Sequence, residues 1–545
     1  MANTPIGGTT SDPGPRDAAG SSPGGGSTLL GHPTGLFLLF MVEMWERFSF
    51  YGMRAILGLY LACKVTGMEP LPPGKPEGYN PGRGWSEEAS SNLLGWYGGM
   101  AYLLPVLGGM IADKLIGTHR SMVVGGLLIA FGHIMLAVSG LGGMDTSAFG
   151  LTVFIFGLVL IIVGTGHFKP SVSVMVSQLY GQGDPRRDAA FNIFYMGINV
   201  GAFLGTAICA WLAQQVGWHW GFGAAAVGML AGLAMYTLLR PWCLSRVGLP
   251  PAERGGVAPL FVLVGTGIAA GVAALFQMGT LKQIDAFIMQ PVVLGLLVAG
   301  ALAWIVYFLA TQSREDRGPV ASIFIFMFFN FFFWLAFEQA ATSVNFFTDQ
   351  RTDRLVGTFM VPTGWFQNVN PAVIVLLAPA FAAMWTALTR KGRNPSQPVK
   401  IGLGLLWLGL GYLFMVVAGM QAKDGKLAMM WLVCATYVLH TIGELFLSPT
   451  GLAYVTKAAP KKYVSQLMGI WFVSSFLAYV VGGKVAGLTG KIERGEVSGW
   501  WFFWKGWFGG QGDFFFLFVV LSCGAGLLIL VLTPLLKKLM RNPND

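Results

Sequence analysis

The stretch GLFLLFMVEMWERFSFYGMRAILGLYL, residues 35–61, is apolar enough to cross a bilayer, yet Glu43, Glu46, Arg47 and Arg54 lie inside it. A helix needs about 20 residues to span the hydrocarbon core. Charges at that depth are expensive and are kept where they face one another or an internal cavity. Glu43, Glu46 and Arg47 stand at i, i+3 and i+4 and share one helical face, which Tyr51 and Arg54 continue. Two carboxylates beside one guanidinium leave an excess negative charge that must find a cation, a proton or a ligand. The bland alternative is a locked ion cluster that only fixes helix packing. The stretch points to a membrane protein that moves protons or a charged solute.

The rest of the chain agrees with that class. Of 545 residues, 54% are hydrophobic and only 11% charged, against roughly 25% charged in soluble domains; the mean hydropathy is +0.62. The apolar runs show no period-2 alternation, which argues for an all-α polytopic protein over a β-barrel. About 14 spans are predicted, near 34–63, 91–113, 121–140, 149–178, 189–213, 219–240, 257–277, 289–310, 319–347, 366–388, 399–420, 427–456, 464–487 and 513–536. Residues 1–33, rich in Gly, Ser, Pro and Thr, read as a disordered tail with no signal-peptide core.

The net charge of +10 does not imply nucleic acid, because the basic residues sit mostly in short loops where they set topology. The clusters Arg186-Arg187, Arg240/Arg246/Arg254, Arg390/Lys391/Arg393/Lys400, Lys457/Lys461/Lys462 and Lys537/Lys538/Arg541 all fall inside when both chain ends are cytoplasmic. The five cysteines are scattered without metal-ligand spacing and read as packing residues. No metal or cofactor is expected. The absence of a Walker sequence, HExxH or a nucleophile elbow lowers the case for a pump or an enzyme. The aromatic stretch within 491–513 reads as an interfacial belt.

Four further features carry charge into the spans. Lys169, in GTGHFKPSVS, is a natural partner for the excess charge on the first span; His167 beside it reads as a polar packing residue. Glu338, in WLAFEQAATS, can pair with a cation of the other half. Glu444, in HTIGELFLSPTG, is flanked by Gly443 and Pro449, which permit bending or local unwinding where a helix lines a cavity. For Glu338 and Glu444 a structural salt bridge is the alternative. Gly109, Asp113, Lys114, Gly117 and Arg120 form a loop pattern at the end of the second span, where charge and helix dipole could latch neighbouring helices; it resembles the loop signature of the major facilitator superfamily.

Taken together, these motifs resemble the proton-dependent oligopeptide transporter family, the peptide branch of that superfamily. WERFSFYGMRAIL resembles the family's ExxERFxYYG signature. GTGHFKPSVS with RRDAAFNIFYMGINVGAF resembles its signature on helices four and five. FEQ, FQNVNP, GELFLSPTGL and SQLMGIWFVSS resemble its second-half motifs. The resemblance covers about residues 34–537 and includes two extra helices between the halves. It implies a major facilitator fold: six-helix bundles over 34–240 and 319–537, a linker over 241–318 carrying the extra pair, and a short tail at 538–545.

The resemblance further implies a proton-coupled symporter of di- and tripeptides in the cell (inner or plasma) membrane, working as a monomer. Glu43, Glu46 and Arg47 would be the proton-coupling cluster, with Lys169 as partner. Arg54 with Glu338 would form the outer gate, and Lys169 with Glu444 the inner one. Arg47, Tyr51, Tyr102, Lys169, Tyr195, Asn199, Asn370, Glu444, Trp471 and Ser475 would line the peptide cavity. Phe50 stands where the family has Tyr, so one hydroxyl is missing from the wall. The stretch 90–113 has no His, so carboxylates must carry the proton. Two rivals are a relative that moves nitrate or another small anion, for which Glu444 has no evident use beyond gating, and a transporter-like receptor that does not transport.

Overall fold

The structure, a computed structural model, describes residues 28–181, 183–250, 255–500 and 502–540; the side chains of 448–450, 452 and 453 are not described. Most of the predicted disordered tail, and the end of the chain from 541, therefore lie outside the described residues. Thr28–Leu29 and His32–Pro33 pair as a small hairpin, and His32 bonds the Tyr180 hydroxyl at 2.8 Å.

The chain is helical throughout. The first half comprises α1 (Thr34–Ala62), α2 (Glu87–Ile111), α3 (Thr118–Val138), α4 (Ala148–Gln178), α5 (Arg186–Gln215) and α6 (Trp218–Cys243). Next come α7 (Ala258–Gln277), a short α8 (Thr280–Ile288) and α9 (Pro291–Ala310). The second half comprises α10 (Arg314–Phe337), α11 (Ser343–Arg351), α12 (Val369–Arg390), α13 (Gln397–Gln421), α14 (Met430–Ala458), α15 (Val464–Ala486), α16 (Thr489–Glu493) and α17 (Gln511–Leu539). Among the described residues thirteen helices are long and apolar enough to cross a membrane. The 29-residue α1 falls outside that set through its charges and not its length. With α1 they make the fourteen expected spans.

Local chemistry sets several boundaries. Ser86, Ser147 and Ser313 cap α2, α4 and α10, each accepting a backbone N–H three residues on, which satisfies an orphan donor of the first turn. The predicted seventh span breaks where its charge lies: α10 stops at Phe337, and Glu338–Ala341 turn through a 3-10 segment into α11. By contrast α14 runs unbroken past Gly443 and Pro449, so the expected unwinding there is not seen.

Buried apolar side chains gather in two large clusters, one drawn mainly from α1–α6 and one from α9–α17. Within the first, α1 lies directly on α5. A Cβ on Gly201 would sit 2.2 Å from the Met44 carbonyl oxygen, and one on Gly205 2.1 Å from that of Phe48. Only glycine lets the charged helix approach this closely. The accessory helices differ from each other: α7 buries Gly265, Ala269 and Ala273 on one stripe against α3 and α4, whereas α9 buries only Phe308. In the aromatic segment expected to form an interfacial belt, Phe502 and Trp504 are instead buried in the second cluster, while Trp500, Phe503 and Trp507 are exposed.

Successive spans alternate in direction, so α1 and α17 place the described chain ends on one face, called here the chain-end face. Every hydrogen bond and ion pair that joins the halves among the described residues lies toward the opposite face. Asn345 donates to the Ala55 carbonyl at 3.1 Å, Trp365 to that of Ala207 at 2.9 Å, and Lys491 to Glu88 at 3.0 Å. The helices α2 and α15 pack along that seam. A Cβ on Gly95 would meet the Tyr479 carbonyl oxygen at 2.8 Å, and one on Gly98 the Tyr479 ring at 2.2 Å.

Candidate functional site

The cluster on α1 forms as its spacing predicts. Arg47 Nε donates to Glu46 and lies 3.1 Å from Glu43 Oε1. All three residues are buried, and Glu43 Oε2, Glu46 Oε1 and Arg47 Nη2 have no hydrogen-bond partner among the described residues. One guanidinium thus serves two carboxylates and leaves polar capacity on all three. Phe50 gives the cluster a ring in place of the absent hydroxyl: the Arg47 guanidinium lies 5.2 Å from its centroid, and the ring stacks on Tyr97 at 6.2 Å. A cation over an aromatic face is attracted by the ring quadrupole.

Lys169 is not the direct partner of this cluster. Its ammonium sits 4.1 Å from the centroid of Tyr102 and makes no ion pair among the described residues. Tyr102 stacks on Tyr479 at 5.1 Å. The Tyr479 hydroxyl donates to Glu338, and Arg54 pairs with the other oxygen of the same carboxylate. Arg54 also lies 5.5 Å from the Tyr479 ring centroid. A continuous line of charges and rings therefore runs from Lys169 on α4 through α2 and α15 to Glu338, beyond α10, and Arg54 on α1. Arg54 and Glu338, expected as a pair, are brought together across the halves with side chains only 12% and 8% exposed.

The expected Lys169–Glu444 pair is not formed. Glu444 accepts from Asn370 Nδ2 at 2.8 Å, and the same nitrogen lies 3.0 Å from Thr441 Oγ1. Each charge is held by a neutral neighbour instead. Lys169, Tyr51, Tyr102 and Glu444, in the body of their helices, and Asn370, in the first turn of α12, remain partly exposed, and Tyr195 is 40% exposed. Toward the chain-end face no hydrogen bond or ion pair joins the halves among the described residues.

Three predicted wall residues are less available. Asn199 is buried and donates to the Tyr195 carbonyl at 2.9 Å within α5. Trp471 and Ser475 are buried as well; Trp471 packs where a Cβ on Gly451 would meet its ring at 2.6 Å. His167 is the packing residue expected, 3.1 Å from Ser121 Oγ. Asp113, Lys114 and Arg120 form no latch by ion pair among the described residues. The loop pattern acts through its backbone instead: Gly117 takes φ 78 and admits Pro250, whose backbone a Cβ there would meet at 2.7 Å. Gly109 faces Pro170 of α4.

Tyr479 is the residue that motif reading missed. Trp471, Ser475 and Tyr479 recur every fourth position on α15, so the helical period alone carries the signal. Tyr97 and Thr441, also missed, are supporting contacts whose roles depend on tertiary neighbours.

Two helical bundles joined toward one face, with charges of both halves set inside the spans, define a multi-pass transporter of the major facilitator type. The chain belongs to the POT family, whose model matches residues 119–501. It is 37% identical to the peptide transporter YePEPT of Yersinia enterocolitica subsp. palearctica over 85% of this chain and 89% of that one. It is 33% identical to a di-/tripeptide transporter of Lactococcus lactis subsp. cremoris over 84% and 90%. A crystal structure of the peptide transporter POT in complex with sulfate matches with TM-score 0.77 and 32% identity, covering 95% of this chain and 97% of that one. A mutant of that transporter in complex with alafosfalin matches with TM-score 0.76 over 94% and 97%.

Proposed function

We propose that this chain is a proton-coupled symporter that imports di- and tripeptides by alternating access across the cell membrane, as a monomer with both ends in the cytoplasm. The observation that carries the reading is the separation of Lys169 and Glu444, a cation in one half and an anion in the other, each parked on a neutral neighbour. A zwitterionic peptide of two or three residues carries its own carboxylate and ammonium about 5–8 Å apart. Lys169 suits the first and Glu444 the second, so one molecule bridges the halves. The peptide transporters among its relatives support the same substrate class. The opposite face is then extracellular, closed by Arg54, Glu338 and Tyr479, and the space between the halves opens inward.

Protons enter through the cluster on α1. Glu43, Glu46 and Arg47 sum to one negative charge, so a single proton balances them. With the proton bound, Lys169 is released from the field of the carboxylates and serves the peptide. With the proton lost, the carboxylates draw Lys169 back and the peptide loses its anchor. One proton crossing about 150 mV supplies about 3.5 kcal/mol, enough for a few-hundredfold accumulation of a neutral peptide. Proteoliposomes containing Glu46→Gln should retain peptide counterflow and lose proton-driven accumulation. Accumulation at the wild-type level would overturn the role given to this cluster.

A further inference from the structure

The two accessory helices have no part in the scheme above, yet the connector between them touches its moving parts. No side chain of α8 is buried, so this nine-residue helix has almost no apolar attachment to the protein. Its one polar side-chain attachment among the described residues is Asp285, whose side chain is 22% exposed. Asp285 Oδ1 accepts from Trp96 Nε1 at 3.0 Å, and Oδ2 pairs with the Lys484 ammonium. Trp96 belongs to α2 and Lys484 to the last turn of α15. These are the helices of the two halves that close the seam toward the opposite face, and Trp96 itself packs on Phe476 of α15 with centroids 6.0 Å apart.

We propose that Asp285 clamps this seam: through it the accessory hairpin stabilises the conformation closed at the opposite face. One carboxylate can hold a donor from each half only while α2 and α15 are adjacent. Opening of that face moves Trp96 away from Lys484 and takes at least one bond from Asp285. An interaction made in one conformation and absent from the other shifts the equilibrium by its differential energy. A part-exposed ion pair together with an indole N–H donated to a charged acceptor amounts to a bias of roughly tenfold or more in the population ratio when both are lost. Elsewhere the hairpin touches both halves: α7 lies on α3 and α4 of the first, and Phe308 of α9 packs on Phe324 of α10 and on Tyr463 in the second. At α8 a single carboxylate holds Trp96 of the first half and Lys484 of the second.

The inference rests on alternating access, so its test monitors both. Spin labels at Thr146 and Lys505, exposed positions of the two halves on the opposite face, report the separation in full-length protein in nanodiscs. Without peptide, Asp285→Asn should move the closed-to-open ratio roughly fivefold to tenfold toward open. Lys484→Gln should do the same, and the double variant no more than either alone. Asp285→Glu should restore much of the closed population. Trp96→Phe, which keeps the packing and removes the donor, should give a smaller shift in the same direction and carries the test if Asp285→Asn does not fold. A wild-type separation that responds to dialanine and acid while Asp285→Asn remains indistinguishable from it, or additive effects of the two charge removals, would overturn the clamp alone. A wild-type separation that never changes would overturn alternating access and the clamp together.

Discussion

Arg54–Glu338 and Lys169–Glu444 look equivalent in the sequence, each a cation of the first half and an acid of the second, but the fold treats them differently. Arg54 and Glu338 meet in a nearly closed environment and are reinforced by Tyr479. Lys169 and Glu444 stay apart, one over an aromatic ring and one on an amide, in a part-exposed space. A charge held by a neutral group keeps its capacity for a strong partner, whereas an ion pair buried with its hydrogen bonds is committed until something separates it. The contrast describes two halves joined by charge at Arg54 and Glu338 and not at Lys169 and Glu444, the difference on which the proposed gating rests.

The comparison is broken most severely at Glu338. Glu338→Gln leaves Arg54 buried without a counter-ion, which costs about 3–5 kcal/mol. The seam toward the opposite face should open in spin-label distances and peptide uptake should collapse; an undisturbed seam would show that the ion pair is not what holds it. Next in size is Lys169→Gln. Loss of a charge-assisted contact of about 1.5–3 kcal/mol should weaken dialanine binding by ten- to a hundredfold in calorimetric titration while the seam stays closed. Unchanged affinity would remove Lys169 from the site. Tyr479→Phe sharpens the contrast further. It keeps the stack on Tyr102 and removes only the hydroxyl donated to Glu338, at about 1.5 kcal/mol. A partial opening of the same seam, smaller than that of Glu338→Gln, is expected in the same distance measurement. The smallest effect falls at Phe50. Phe50→Leu loses a cation–π contact of about 0.5–1 kcal/mol and should lower the thermal unfolding midpoint slightly, whereas Phe50→Tyr, which keeps the ring, should not.

Much of this site is legible in the sequence because helical periodicity is local. Glu43, Glu46 and Arg47 meet through i, i+3 and i+4 spacing, and the fourteen spans follow from apolar length. Pairing across the halves is another matter. Nothing near Lys169 says that its ammonium rests on Tyr102, nor anything near Glu444 that Asn370 holds it, since both depend on which conformation the two bundles adopt. Tyr479 is intermediate: its face can be read from the spacing with Trp471 and Ser475, but its bond to Glu338 cannot. Asp285 lies between two spans that otherwise look like featureless lipid-facing helices, and its partners are 189 and 199 residues away.

The sequence by itself determined that this is a helical membrane transporter, because hydrocarbon admits only long apolar segments and tolerates charge inside them only for function. It also marked which charges stand inside the spans, where a buried ion is costly and needs a partner. The tertiary structure alone decided which of those charges are joined and which are free, and where the accessory helices attach. Such contacts depend on the mutual position of two bundles, and that position is a property of the conformation, which neighbours along the chain do not encode.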